Sequence, residues 1–204
     1  MILKSTAEQV LAAALGTGGD FAELFCEDRR SGAMGLVDGR VESASTVRRH
    51  GAGIRVYNGL NSVYVHTNDT GLSGLLSAAR KAADAVSGGG AVGDIHLTQS
   101  IEGNLHPIRQ MPMDVAGSRK AKLLREMDLA ARAVSPEVHQ VRANLIYWDS
   151  DVLIANSEGL FTGDRRVYTR MACSAVAEGG GESQSGSASP GAMAGVELDR
   201  KSVV

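Results

Sequence analysis

A hydrolytic zinc centre needs three closely presented protein ligands and an open coordination position. The five histidines, His50, His66, His96, His106 and His139, stand ten or more residues apart. None belongs to an H-E-x-x-H helix, in which two ligands share a face and a glutamate activates water. His50 and His66 fall in strand patterns and read as surface or internally satisfied side chains. A cysteine nucleophile needs a lowered pKa, from a helix N-terminus or a neighbouring cation. Cys26 and Cys173 sit instead in strand-like runs beside small or apolar residues, and read as small buried hydrophobes. No G-x-S-x-G elbow presents a serine. Gly16-Thr17-Gly18-Gly19 and Gly88-Gly89-Gly90 trail helices, whereas a dinucleotide-binding loop follows a strand and opens a helix. Gly51-Ala52-Gly53 lies inside a strand pattern and lacks the third glycine. Two arginine pairs are left, Arg48-Arg49 and Arg165-Arg166. Adjacent strand residues face opposite sides, so one arginine of each pair could face a cavity. The competing reading is a charged edge strand that resists edge-to-edge association.

These residues must be carried by identifiable elements. Ser5 and Glu8 have the spacing of a capping box, and Ala7, Val10, Leu11, Ala14 and Leu15 then share one helical face. Short strand runs follow at 21–26, 34–41, 41–43, 53–57 and 62–67, separated by the turn pairs Asp38-Gly39 and Asn58-Gly59. Asp69 or Thr70 is placed to cap a second helix with Leu72, Leu75, Leu76, Ala79, Ala83 and Val86 inward, ended by Gly88-Gly89-Gly90. Residues 88–118 have no period and are expected to cross the surface or hide a short strand. A third helix at about 119–134 puts Leu123, Leu124, Met127, Ala130, Ala131 and Val134 inward, with Arg119, Lys120, Lys122, Arg125 and Arg132 in water. Strands follow at 138–148, 151–155 and 167–177, with Asn156-Ser157-Glu158-Gly159 as one turn.

The two halves echo each other at an offset of about 120 residues: Asp38-Gly39 falls on Glu158-Gly159, and Asn58-Gly59 on Glu178-Gly179. The expected fold is therefore α+β, a two-layer sandwich with a large antiparallel sheet and helices on one face, built from two helix-plus-meander repeats. Each repeat is read as a helix and a four-stranded meander, at about 5–87 and 119–188, joined by the connection 88–118.

Composition narrows the functional classes. The 204 residues carry 21 Lys+Arg against 23 Asp+Glu, a net charge of -2, so there is no electrostatic footprint for nucleic acid and no polybasic membrane patch. Two cysteines cannot make a disulfide framework, and the first residues lack the apolar core of a signal peptide, which leads to the expectation of a cytoplasmic protein. No apolar run approaches the length of a membrane span.

Gly19-Asp20-Phe21-Ala22-Glu23-Leu24-Phe25, Arg29-Arg30, Val37-Asp38-Gly39 and Gly51-Ala52-Gly53-Ile54-Arg55-Val56 together resemble the opening of TldD/PmbA family proteins, once called modulators of DNA gyrase. So does Ile154-Ala155-Asn156-Ser157-Glu158-Gly159 followed by Asp164-Arg165-Arg166 and Arg170. The likeness runs from about residue 5 to 190 and is nearer to the TldD type than to its TldE partner. It implies a zinc metallopeptidase subunit that cuts unfolded or extended peptides inside a chamber shared with a TldE/PmbA-like subunit. The family's zinc motif, H-E-x-x-x-H with a later cysteine, lies in a C-terminal domain and matches nothing here. Residues 1–190 are thus expected to be the family's N-terminal domain, with 191–204 as the start of a further domain or a fragment tail. Zinc is expected in the full-length family protein and not on this chain, and no catalytic or metal residue carries over. The expected role is a scaffold and chamber wall, inactive alone. Arg55, Asn156, Arg165 and Arg166 are the expected peptide contacts, on the argument that a polar, unpaired sheet surface can hold an extended peptide by strand addition. No direct nucleic-acid or membrane partner is expected. The alternative is a non-catalytic module regulating gyrase or a toxin–antitoxin pair.

Overall fold

Asp38 and Gly39 take φ values of 47° and 76°, the left-handed pair that a two-residue hairpin turn requires. They join β1 (Phe21–Val37) to β2 (Arg40–Asn58). Gly59, at φ 57°, and Leu60 make the next turn, into β3 (Asn61–Thr67). This turn lies one residue later than the Asn58-Gly59 pair suggested, because Asn58 pairs with Asn61 in the ladder. The computed structural model describes residues 2–86, 94–100 and 106–198. The remaining elements are α1 (Lys4–Ala14), α2 (Leu72–Ala85), β4 (Thr98–Ser100), α3 (Gly117–Arg132), β5 (Val138–Asn156), β6 (Leu160–Gly179), β7 (Glu182–Ala188) and β8 (Gly191–Ala192).

The fold is mixed α+β, with three helices and a large, mainly antiparallel eight-stranded sheet. Its order is β3-β2-β1-β5-β6, and β4, β8 and β7 pair with successive stretches of β6. Strand β4 runs parallel to β6; it is the short strand expected within 88–118. Within each expected repeat, 5–87 and 119–188, the first helix is followed by three strands, not four. The reason is that β1 and β2 are single strands of 17 and 19 residues, with polar side chains on both faces through their middles hiding the alternation.

The chain packs as two compact units, and each draws on both halves of the sequence. One comprises Met1–Arg29, Arg49–Gly103 and Ser150–Arg165; the other Arg30–Arg48, Asn104–Asp149 and Arg166–Val204. In the first, α1 and α2 cover the sheet. Leu11, Leu15, Leu24, Ile54 and Leu75 are fully buried there, each contributing about 1.5–3 kcal/mol. Thr17 donates its hydroxyl to the carbonyls of Ala83 and Val86, tying the end of α1 to the last turn of α2. In the second unit, α3 packs Leu124 and Met127 on Leu36, Ala143, Leu145 and Tyr147.

Several local expectations are corrected. Helix α1 begins at Lys4 without a side-chain cap, so Ser5 and Glu8 form no capping box; Glu8 accepts the Leu97 N–H and pairs with Lys4. Neither Asp69 nor Thr70 caps α2: Gly71 holds the cap position, and Asp69 accepts its N–H in the preceding turn. Lys120 is buried, not wet, because its stem crosses α3's packed face to reach Tyr147. The glycine run expected to end α2, and residues 199–204 of the expected tail, lie outside the described residues.

Candidate functional site

The second unit holds an open groove of about 1160 Å³. One wall is α3, through Leu123, Met127, Ala130 and Ala131, continued by Val134 just past its end; the floor is Met171, Cys173 and Ala175 of β6. Gly186, Ser187 and Ala188 of β7 form the opposite border, and Val196 and Leu198 close one end. The lining is therefore largely apolar, with Arg119, Lys122, Glu126, Gln110 and Glu197 as its charged and polar members. An apolar trough with a few polar groups suits a chain whose side chains are held by shape and whose backbone is held by direction-specific bonds.

The backbone bonds are available on β7. Every residue from Glu182 to Ala188 is exposed, β6 pairs with one edge only, and no described strand pairs with the other. The sequence read Ala130 and Val134 as core because they continue the α3 stripe. That stripe is wider than the sheet can cover, and Val134 is 83% exposed. The excess width was the available signal for the groove.

Polar groups fix the groove's ends. Glu197 accepts N–H bonds from Arg109 at 2.8 Å, Gln110 at 3.0 Å and Gly195 at 3.3 Å. Burial acts to raise its pKa, but these bonds overcome it and hold the carboxyl below its usual value. Near the other end, Arg132 pairs with Asp38 and Asp128 and donates to the carbonyls of Val138 and His139. The Val141 N–H, first, and Arg132 lower the Asp38 pKa. Neither thiol is activated. Burial pushes Cys26 up to about 12, and burial with the Asp128 charge raises Cys173. Cys173 accordingly serves the groove as apolar surface.

The four residues expected to touch peptide are not brought together. Arg55 is exposed on β2 with its guanidinium 5.4 Å from the Tyr64 ring centre. Asn156 accepts the N–H groups of Glu158 and Leu160, which closes the β5–β6 turn. Arg165 lies 3.7 Å from Asp151 on the neighbouring strand. Arg166, next along β6, is exposed. Strands β1 and β5 run between Arg55 and Arg165.

Among the described residues no three His, Cys, Asp or Glu side chains converge on a point where a metal could sit. The described donors therefore do not fit a zinc centre. No helix among the described residues is long and apolar enough to cross a membrane.

The second unit thus sets a largely apolar trough beside a free strand edge. Comparison with known proteins specifies the family. Residues 22–86 match the PmbA/TldA metallopeptidase domain 1, and residues 112–203 match the PmbA/TldA metallopeptidase central domain. The chain belongs to the PmbA/TldD family. It is 26% identical over 184 residues to a metalloprotease TldD homolog of Haemophilus influenzae, a match covering 87% of this chain and 37% of that relative. The fold is shared with a proposed modulator of DNA gyrase from Bacteroides thetaiotaomicron, at a TM-score of 0.76 and 12% identity, over 98% of this chain and 48% of that one. A proposed gyrase modulator from Thermotoga maritima gives 0.76 and 13%, over 98% and 46%. TldE from Thermococcus kodakarensis gives 0.61 and 14%, over 91% and 43%. The chain spans less than half the length of each of these relatives.

Proposed function

We propose that this chain is the substrate-holding scaffold of a TldD-type zinc metallopeptidase, acting on unfolded or extended peptides in the cytoplasm beside a TldE/PmbA-like subunit. The supporting observation is the apolar groove between α3 and β6–β7, bordered by the exposed edge of β7. A peptide lying along that edge gains main-chain hydrogen bonds whatever its sequence, and directs alternate side chains into the trough. That chemistry selects extended chains over folded ones. The likeness to a metalloprotease TldD homolog supports hydrolysis as the activity served, and the likeness to a TldE supports the partner class. Zinc and the hydrolytic groups are assigned to residues other than those described, so the 204-residue chain is expected to bind peptide without cutting it.

The test is a fluorescence-anisotropy titration of the chain with a labelled, structureless twelve-residue peptide. Saturable binding is expected, weakened about tenfold or more by Ala130→Asp with Val134→Asp, two exposed groove positions whose substitution spares the core. Binding that does not saturate, or that ignores both substitutions, removes the proposal. Arg55, Arg165, Arg166 and Asn156 remain proposed contacts and are tested singly; Asn156→Asp keeps the turn's acceptor, and an unchanged affinity discards that residue. A second reading, a non-catalytic regulator, is favoured by the gyrase-modulator relatives. Its signature is capture of gyrase by a chain that binds no peptide.

A further inference from the structure

The groove between α3 and β6–β7 has two chemically different ends. The register sets Cys173 opposite Ala188, Ala175 opposite Gly186 and Gly179 opposite Glu182. Directly paired residues share a face, and that face recurs at every second position. Glu182 therefore lies on the face of the groove floor, beyond Ala175 and Gly186. Glu137 joins it there, because its carboxylate occupies the space that a side chain at Gly179 would take. The Glu137 carbonyl also accepts the Glu178 N–H, which fixes the exit of α3 over this hairpin end. Glu178 falls on the opposite face, where it lies 3.6 Å from His139.

Arg119 and Lys122 line the groove from the first two turns of α3, and so from its far end. Glu126 and Glu197 line that end too, Glu197 with its carboxylate held by the N–H groups of Arg109, Gln110 and Gly195. Cations and acids are therefore matched in number there. At the hairpin end Arg132 is already engaged by Asp38 and Asp128, so Glu137 and Glu182 set the sign of the field. Glu182 to Ala188 extends over about 20 Å at roughly 3.3 Å per residue, so about seven residues of an extended chain reach from one end to the other.

We propose that the groove holds an extended peptide parallel to β7, its amino end at Glu137 and Glu182 and its carboxyl end at Arg119 and Lys122. Strand β7 runs from Glu182 to Ala188, from the acidic end towards the cations. A peptide with a basic residue first and an acidic one about six positions later runs the same way. The helix dipole agrees, since α3 turns its negative end to the hairpin and its positive end to Arg119. A peptide of the opposite polarity sets its acid against Glu137 and Glu182, a like-charge contact that disfavours it. The ligand class is therefore an extended peptide that is basic at its amino end and acidic towards its carboxyl end. This inference rests on the peptide-holding reading and adds direction and charge to it.

Fluorescence anisotropy of the 204-residue chain with three labelled nine-residue peptides, each acetylated and amidated, tests it. One carries two lysines at its amino end and two glutamates at its carboxyl end, the second has these ends exchanged, and the third is uncharged. At low salt the lysine-first peptide is expected to bind about tenfold more tightly than the glutamate-first one. Glu137→Lys with Glu182→Lys, both at exposed positions, is expected to reverse that ratio. A nitroxide at the carboxyl end of the lysine-first peptide is expected to broaden the amide signals of Lys122 and Ala188, and to spare Glu182. Circular dichroism reports whether the variant folds; should it not, Arg119→Glu with Lys122→Glu, also exposed, carries the charge test by narrowing the ratio. Saturable binding of the uncharged peptide with equal affinity for the two charged ones overturns the direction and leaves the groove reading standing. Failure of all three peptides to bind removes both. A ratio indifferent to the substitutions, or broadening at Glu182, overturns the proposal as well.

Discussion

Lys120 donates from Nζ to the Tyr147 hydroxyl at 2.9 Å, and the same nitrogen stands 4.1 Å from the centre of the tyrosine ring. Both residues are 5% exposed. A buried ammonium depends on such partners, since leaving one unsatisfied costs more than the bond contributes. Tyr147→Phe is therefore expected to lose about 1–3 kcal/mol of stability in urea unfolding. Lys120→Met removes the charge at similar volume and should cost less. The double variant should cost less than the two single losses combined. A Tyr147→Phe protein as stable as the original would show that the hydroxyl is dispensable to Lys120.

Two glycines make room for tyrosines, with different consequences. A Cβ at Gly32 would lie 2.2 Å from the ring of Tyr147, which is buried and has nowhere to go. Gly32→Ala is expected to cost about 1–3 kcal/mol by overpacking. A Cβ at Gly53 would lie 2.1 Å from the Tyr64 hydroxyl, but Tyr64 is 54% exposed and can swing outward. Gly53→Ala should cost about 1 kcal/mol or less, chiefly the lost stacking of Arg55 on that ring. Comparable losses at the two positions would contradict the assignment.

Acid should release the segment that ends the groove. Because the folded-state pKa of Glu197 is lowered, its contribution is present above the ordinary carboxylate value, about 4.3, and disappears as pH falls through the lower folded value. Amide hydrogen exchange at Arg109, Gln110 and Gly195 is expected to lose protection below about pH 4 beyond the intrinsic pH dependence. Glu197→Gln should abolish that step. Protection unchanged between pH 5 and 3 would remove Glu197 as the tether.

Both thiols should resist modification in the folded state. With Cys26 at about 12, only about one molecule in ten thousand is a thiolate at pH 8. Cys173 is raised as well and should also react more slowly than free cysteine. Disulfide-exchange reagents monitored by absorbance are expected to label both residues slowly in buffer and fast in urea. Rapid labelling of Cys173 in buffer would show that burial and the Asp128 charge do not govern its thiol.

Helices and turns were the legible part of this sequence. The apolar stripes of α1, α2 and α3 have the helical spacing, and Asp38-Gly39 names its turn because few residue pairs tolerate two positive φ values. The long strands were hidden for a physical reason. Through Arg40–His50 neither face is buried, so no alternation marks the strand. Lys120 was misplaced because a cation is assigned to water by type, whereas its long stem lets it cross a packed face and meet an aromatic ring. The groove was partly written in α3, whose stripe continues through Ala130 and Val134 beyond the buried set. The free edge of β7 was not: edges follow from which strands pair, a long-range fact that local spacing does not carry.

The interleaving of the two compact units bears on how the polypeptide emerges from the ribosome. Each unit takes an early segment and a late one, so Ala22 and Leu24 wait for Leu153, Ala155 and Phe161 before their cluster is complete. Nascent chains that have not yet exposed residues 150–165 must carry an unfinished apolar surface, which makes them candidates for chaperone capture during synthesis.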